Sequence, residues 1–441
     1  MKKIVVIGAG RSASSLVEYL LNHSEENGWK VHVVDRDPAL AAKRVQQHPN
    51  GSSSAFEAGD AAALPGLLDG ASLVISMLPA NMHLDVAEAC VSMGIHLITP
   101  SYVSPGMRKL DAAAKEKGVL LLNEMGVDPG IDHMSAMEII DRLRAEGANI
   151  KRFESFTGGL IAPESDNNPW HYKFTWSPRN VVMAGQGGTA QFIQNHKLKY
   201  LPAHKIFKRV KEIEVAGYGS FDGYANRDSL SYRKVYGIEN VPTIYRGTLR
   251  GKGFCEAWNV FVQLGITTED FEVDCRNMSY REFINAFLMY DETLSVEDKL
   301  QGYLQLSDEV MSKLEWLGIF EKRLIGLDSA TPAFILQKLL EEKWALEEHD
   351  KDMIVMWHRF DYELNGEEHE LHSSMVYIGR NQNFTAMSDT VGWPVAIAAR
   401  LILNGEMKGA GVQMPILPSI YQPILNELEH MGIRFTETAV R

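Results

Sequence analysis

The sequence predicts an α/β fold in which a doubly wound parallel sheet is followed by a second α/β domain carrying a small helical insertion. Three observations predict it. Residues 4–7 are an uninterrupted apolar run that breaks at once into Gly8-Ala9-Gly10-Arg11-Ser12-Ala13, a GxGxxA turn. Strand-like and helix-like stretches then alternate through the first 125 residues, the sign of a parallel sheet wound with helices. After Gly130 the β-like stretches lengthen and the alternation stops.

The opening turn reads as a dinucleotide site. Gly8 permits the tight turn off the strand, Gly10 lets backbone approach a pyrophosphate, and Ala13 keeps the next helix close to the sheet. A helical pattern (Leu16, Val17, Leu20, Leu21) follows, so phosphates would meet unpaired N–H groups and the positive dipole end. The second strand, residues 30–34, ends in Asp35-Arg36, roughly 20 residues past the glycines, where a ribose hydroxyl is gripped. Asp35 suits the free 2′-hydroxyl of NAD and Arg36 the extra phosphate of NADP, so this pair leaves the cofactor open between them.

The pattern continues with a helix over 39–47, a short strand over 55–57, a strand over 73–77 ending at Leu78-Pro79, and a helix over 84–93. A strand over 95–98, a helix over 106–117 and a strand over 119–122 complete six strands of a Rossmann sheet. Ligands bind such sheets beyond the carboxyl ends of the strands. The candidates there are Asp60 near an adenine edge, Leu78-Pro79, Ser101-Tyr102, and Asp128 ahead of Pro129-Gly130 and a helix over 131–143. Asp60 and Asp128 each have an alternative role as a helix N-cap. A metal held by His133, Asp128 and Asp132 is disfavoured, because no second histidine stands at ligand spacing.

The expected domains are residues 1–125, a substrate and dimerisation domain over 126–390 with its insertion at about 267–326, and a segment over 391–441 that packs back on the first. Longer β-like segments occupy 152–158, 211–215, 243–249 and 352–360, and the tail reads as helices over 394–403 and 418–431. The loops between residues 156 and 178 are dense in Gly, Pro, Trp and amides, which suits a binding surface more than a core. Asn226-Arg227-Asp228-Ser229 and the arginines Arg246 and Arg250 supply bidentate grips for carboxylates.

Bulk composition narrows the partners. The 441 residues carry a formal charge of -13, with 45% hydrophobic and 23% charged residues, those of a soluble globular protein. Such a charge disfavours nucleic acid or an anionic membrane as the main partner. Three cysteines without a CxxC spacing indicate neither a disulfide framework nor a structural zinc. Arg11 interrupts the apolar run behind Met1-Lys2-Lys3, which argues against a signal peptide, and no apolar stretch approaches the roughly 18 residues of a membrane span. A cytoplasmic protein is expected.

In this setting the sequence resembles the saccharopine dehydrogenase family, in its glutamate-forming reductase branch. The resemblance rests on strings in one order along the chain: GAG at Gly8, Ser101-Tyr102, NEMGVDPGIDHM from Asn123, GGLIAPESDNNP from Gly158, YKFTWSP from Tyr172, NRDS from Asn226, YRGTLR from Tyr245 and TVGWPVAIAARLIL from Thr390. It implies an NADP- or NAD-dependent oxidoreductase of lysine metabolism, commonly a homodimer. The implied reaction joins 2-aminoadipate semialdehyde to glutamate as an imine that a hydride then reduces to saccharopine. It also implies dinucleotide contacts on Gly8, Gly10, Arg11, Ser12, Ala13, Asp35, Arg36, Asp60, Leu78 and Pro79. Substrate contacts fall on Ser101, Tyr102, Asp128, Asn226, Arg227, Asp228 and Arg246, with Asp128 and Tyr102 catalytic. Three positions depart from the family pattern: Thr157 replaces a cysteine, Gln186-Gly187 an Arg-Asn pair, and Asp35 a non-acidic strand ending. Two other readings are a carboxynorspermidine synthase-like enzyme of polyamine metabolism and a non-catalytic NAD(P) sensor; the arginines at 227 and 246 favour the tricarboxylate saccharopine.

Overall fold

The first strand, β1 (Lys2–Ile7), is buried from Ile4 onward, as expected of a central strand whose two faces are both covered. The structure is a computed structural model that describes residues 1–225 and 228–440. Asn226 and Arg227, two of the expected substrate contacts, lie outside the described residues. The chain divides into one unit made of Met1–Asn149, Glu363–Glu367 and Met375–Glu437, and another made of Ile150–Tyr362, Glu368–Ser374 and Thr438–Arg441.

In the first unit, β1 is joined by β2 (Trp29–Asp35), β3 (Gly51–Ala55), β4 (Leu73–Ser76), β5 (His96–Ile98), β6 (Leu120–Leu122) and β7 (Gly411–Gln413). The order is β7-β6-β5-β4-β1-β2-β3, and every pairing is parallel. The sheet therefore has one strand more than the six expected. β7 comes from a stretch that reads as a Gly/Pro-rich connection, and three residues are too few to show a period of two. Its attachment is tertiary: Gly411 donates to the Val119 carbonyl at 2.8 Å and Val412 to the Asp111 carboxylate at 2.9 Å.

Six helices of this unit matter for the site: α1 (Ser14–Asn22), α2 (Pro38–Val45), α3 (His83–Met93), α4 (Ile131–Ala145), α5 (Ala386–Leu403) and α6 (Pro418–His430). The expected helix over 106–117 is two short ones, Pro105–Lys109 and Asp111–Glu116. The first unit extends past residue 125 to Asn149 because α4 packs against α6.

Helix α5 begins at Ala386 and not near residue 394. Thr385 caps it, accepting from the Ser388 N–H at 3.0 Å, and Pro394 lies inside it. Proline marks a helix start from sequence because its missing N–H is harmless in the first turn; here the Thr cap overrides that signal. Among the described residues α5 is the one helix long and apolar enough to cross a membrane, but 83% of it is buried within the protein, the setting of a core helix. It packs on α1. A Cβ on Gly392 would stand 2.7 Å from the Leu16 nitrogen, so only glycine allows this approach. Alongside, Ser15 and Ser388 share a hydroxyl contact of 2.8 Å. The fully buried Asp389 accepts from Ser15, from the Tyr377 hydroxyl at 2.8 Å and from Arg380 Nη2 at 2.8 Å.

The second unit is built on a mixed sheet. Its long strand Asn149–Ile161 runs parallel to Thr243–Gly251, which pairs antiparallel with Gly219–Ala225 and through it with Lys211–Val215. The expected insertion contains helices Tyr280–Asn285, Val296–Leu304 and Asp308–Leu317, each opened by a serine cap at Ser279, Ser295 or Ser307. The Trp-rich stretch near residue 170 is core and not a binding surface. Trp170 and Tyr172 are fully buried, their rings meet Trp344 at 5.3 and 5.1 Å, and the Trp170 indole donates to the Lys313 carbonyl at 2.9 Å. Loop composition cannot report burial when the partner rings come from distant sequence. Arg250 joins that core, its guanidinium 5.2 Å from the Tyr172 ring and 5.6 Å from Phe254, and so is not a surface grip.

Candidate active site

The candidate residues of the first unit lie at the carboxyl edge of the parallel sheet. Gly8 has φ of 104°, and a Cβ there would stand 3.0 Å from the Met77 carbonyl oxygen of the adjoining strand end, so the turn requires glycine. Gly10 is exposed with nothing within 4 Å of an added Cβ, leaving its backbone open to a ligand. Arg11 is exposed, Ser12 half-buried and Ala13 buried just before α1. A dinucleotide's phosphates fit this shape: narrow behind the turn, open before it, with a helix N-terminus beyond.

Asp35 ends β2 beside the turn. Its Oδ2 accepts from the Ala9 N–H at 2.7 Å and its Oδ1 from the Asp37 N–H at 3.0 Å. Arg44, from α2, donates through Nε to the Ala9 carbonyl at 3.0 Å and through Nη2 to the Gly10 carbonyl at 3.2 Å. Burial and the neighbouring Arg11 pull its pKa below the usual arginine value. Arg44 is a part of the turn that sequence reading missed, since its contacts are to carbonyls that any sequence would offer. Arg36 and Pro79 are exposed and Leu78 half-buried at strand ends. Asp60 is exposed and accepts from the Ala63 N–H at 3.2 Å, the N-cap role its sequence position also allowed.

The next strand ends carry hydroxyls and carboxyls. Tyr102 is 45% exposed and its hydroxyl donates to Asp128 Oδ1 at 3.0 Å, so two of the expected site residues are brought together. Their positions are fixed from behind. The Ser101 hydroxyl lies 2.7 Å from His83 Nε2, whose Nδ1 is 2.8 Å from the Ser76 hydroxyl. Burial lowers the pKa of His83 to about 4, so the ring is neutral and carries one donor and one acceptor. Glu124 grips the same loop by its other side: its N–H donates to the Ser101 carbonyl at 3.0 Å and its Oε1 accepts from the Val103 N–H at 3.0 Å. Glu124 Oε2 in turn lies 2.7 Å from His133 Nε2, and Asp132 Oδ2 is 3.5 Å from His133 Nδ1, all three side chains being buried. His83 was not singled out from sequence, and Glu124 entered only within the string NEMGVDPGIDHM. A histidine at the start of the helix that follows a buried strand was the available signal for His83.

The remaining expected contacts belong to the second unit. Arg246 is buried, with its guanidinium 4.2 Å from the Tyr232 ring centre and its N–H donating to the Ser229 hydroxyl at 2.9 Å. Asp228 Oδ1 accepts from Leu230 N at 2.7 Å, an Asx turn that shapes the segment preceding Arg246's partner. Thr157 lies opposite Thr248 in the sheet, and its buried hydroxyl has no hydrogen-bond partner among the described residues.

Comparison with known proteins gives a consistent result along the chain. A family model described as the saccharopine dehydrogenase NADP binding domain matches residues 4–122, and one described as the saccharopine dehydrogenase C-terminal domain matches residues 126–433. A saccharopine dehydrogenase [NADP(+), L-glutamate-forming] of Schizosaccharomyces pombe is 32% identical over 453 residues, covering 100% of this chain and 99% of the relative. The mitochondrial alpha-aminoadipic semialdehyde synthase of Mus musculus is 31% identical over 458 residues, and there the chain spans 48% of the relative's length. Among solved structures, the apo saccharopine dehydrogenase (L-Glu forming) of Saccharomyces cerevisiae superposes with a TM-score of 0.90 at 30% identity, over 100% of both chains. A homospermidine synthase of Legionella pneumophila shares the fold alone, with a TM-score of 0.60 at 10% identity over 99% of this chain and 91% of that one.

Proposed function

The chain belongs to the saccharopine dehydrogenase family, and from that footing we propose that it interconverts saccharopine with 2-aminoadipate semialdehyde and L-glutamate. It is an NAD(P)-dependent oxidoreductase acting on a CH–NH bond, of lysine metabolism. The observation that carries the reading is the Tyr102–Asp128 hydrogen bond of 3.0 Å at the sheet edge that holds the dinucleotide turn.

The turn of Gly8, Gly10 and Ala13 would hold a nicotinamide dinucleotide, which would supply or accept the hydride. The protein's own residues handle protons and carboxylates. Forming the imine from amine and aldehyde requires a proton to leave nitrogen and another to reach the departing oxygen; Tyr102 and Asp128, already sharing one proton, are the pair to pass it. The Ser101 hydroxyl, held by neutral His83, offers a fixed hydrogen bond to a substrate polar group. Saccharopine carries three carboxylates. Arg246, desolvated over Tyr232, binds one more firmly than a solvated guanidinium would, and Arg227, Asn226 and Asp228 are assigned to the same substrate by the family motif. Thr157, with its unpartnered hydroxyl, adds a further polar contact in place of the family's cysteine. The resemblance also supports a homodimer, and the composition a cytoplasmic enzyme without nucleic-acid or membrane partners.

Nucleotide absorbance near 340 nm decides the matter, followed with purified protein and saccharopine plus NAD or NADP, with carboxynorspermidine in parallel. Reduction of the nucleotide with saccharopine supports the proposal. No change with saccharopine but reduction with the polyamine overturns it, and binding without turnover of either leaves a sensor.

A further inference from the structure

The geometry points to a nucleotide site that selects the free 2′-hydroxyl of NAD(H) over the 2′-phosphate of NADP(H), with Asp35 as the selecting residue; this rests on the dinucleotide reading of the glycine turn. It would separate this chain from the Schizosaccharomyces pombe relative, whose name carries NADP(+).

Asp35 is the last residue of β2, the position from which a carboxylate reaches the adenosine ribose in a sheet of this topology. It is anchored through both oxygens, by the Ala9 N–H at 2.7 Å and the Asp37 N–H at 3.0 Å, so it cannot swing aside for a bulkier group. A carboxylate has about four lone-pair sites, and these two bonds leave the others for neighbouring hydroxyl donors. A ribose diol supplies such donors. A 2′-phosphate brings oxygens that accept and a charge of about -1.5 to -2, so it meets Asp35 with no donor and with like charge. Asp37, which caps α2 by accepting from the Ala39 N–H at 2.9 Å, adds a second carboxylate to the same loop.

The local cations do not reverse this. Arg44 is half-buried, and its Nε and Nη2 are spent on the Ala9 and Gly10 carbonyls; its charge faces Asp35 and Arg11, where it balances the carboxylate already present. Arg36 is exposed and solvated. Arg11 is exposed as well, but it follows Gly10 in the phosphate turn; a solvated guanidinium beside an anchored, half-buried carboxylate recovers less for a phosphate than the carboxylate takes away, because the exposed charge is screened more than the half-buried one.

Binding constants for NADH and NADPH, measured without substrate by quenching of protein fluorescence on the full chain, test the inference apart from turnover. NADH is expected to bind at least about tenfold more tightly, a modest factor for like charges brought into contact in a partly desolvated site. Asp35→Asn keeps a side-chain oxygen for the Ala9 N–H and removes the charge; it should narrow the ratio by about tenfold, mainly by tightening NADPH. NADPH binding as tightly as NADH to the unmodified protein, or a ratio unmoved by Asp35→Asn, overturns the role given to Asp35 while leaving the dinucleotide reading intact. Failure of both nucleotides to bind overturns that reading as well.

Discussion

The Tyr102 hydroxyl donates to Asp128 Oδ1 across 3.0 Å, and each residue follows a different strand of one parallel sheet, Tyr102 after β5 and Asp128 after β6. The bond therefore depends on two neighbouring strand ends keeping their register, which Ser101 and Val103 secure through His83 and Glu124.

Tyr102→Phe removes the donor and little else, since the ring is 45% exposed. Turnover of saccharopine should fall by about 10²- to 10⁴-fold, the scale of a lost proton-transfer partner, with nucleotide affinity and melting temperature near those of the parent. Steady-state rates across pH give the answer, and an unchanged kcat removes Tyr102 from the proton path.

His83 makes stability depend on pH. Its folded pKa of about 4 lies below the ordinary 6.5, so the unfolded chain binds the proton more readily. The contribution is full above about pH 6.5 and is lost as pH falls toward 4, by up to about 3 kcal/mol. Denaturant unfolding between pH 7 and 4.5 should show this loss, and His83→Gln should reduce it by about 2 kcal/mol. A variant with the parent's pH slope would assign the effect elsewhere.

Arg380 is 37% exposed but pairs with the fully buried Asp389 and with Glu18 at 2.7 Å. Arg380→Met leaves Asp389 with hydroxyl donors only. The expected loss is about 2–3 kcal/mol, under the range for fully buried pairs because one partner is solvated. Adding Asp389→Asn should recover part of it, and strict additivity of the two changes would mean that the pair is not coupled.

Gly392→Ala places a methyl 2.7 Å from the Leu16 nitrogen, a backbone atom that cannot rotate away. We expect about 1–3 kcal/mol of destabilisation and weaker nucleotide binding, since α1 begins at the phosphate turn. Calorimetric melting with and without nucleotide reads both; a parental melting temperature would show that α5 and α1 can separate freely.

Local chemistry was legible from sequence and tertiary chemistry was not. The run into Gly8 and the placement of Asp35 are short-range patterns, and the fold class follows from them with the alternation behind. β7 escaped because three residues have no period and their partner, β6, lies far back in the chain. Pro394 misdirected the start of α5, as a breaker whose helix is held by a cap and by packing. His83 acquires its role only when β4, β5 and the segment after β5 bring Ser76, Thr99 and Ser101 around it. Trp170 looked like a ligand contact because glycine and proline surround it, and its neighbour Trp344 cannot be paired with it by reading along the chain.

The contact between Gly392 and Leu16 also sets an order of events during synthesis. At about 5–20 residues per second, roughly 20–75 s separate the making of Leu16 from the making of Gly392. Throughout that interval the nascent nucleotide-binding half shows the ribosome's surroundings the face of α1 that Ser388, Asp389 and Gly392 later cover. Helix α1 is thus made well before the helix that shelters it, and a chaperone that recognises exposed helix faces has this one to hold until residue 392 has been translated.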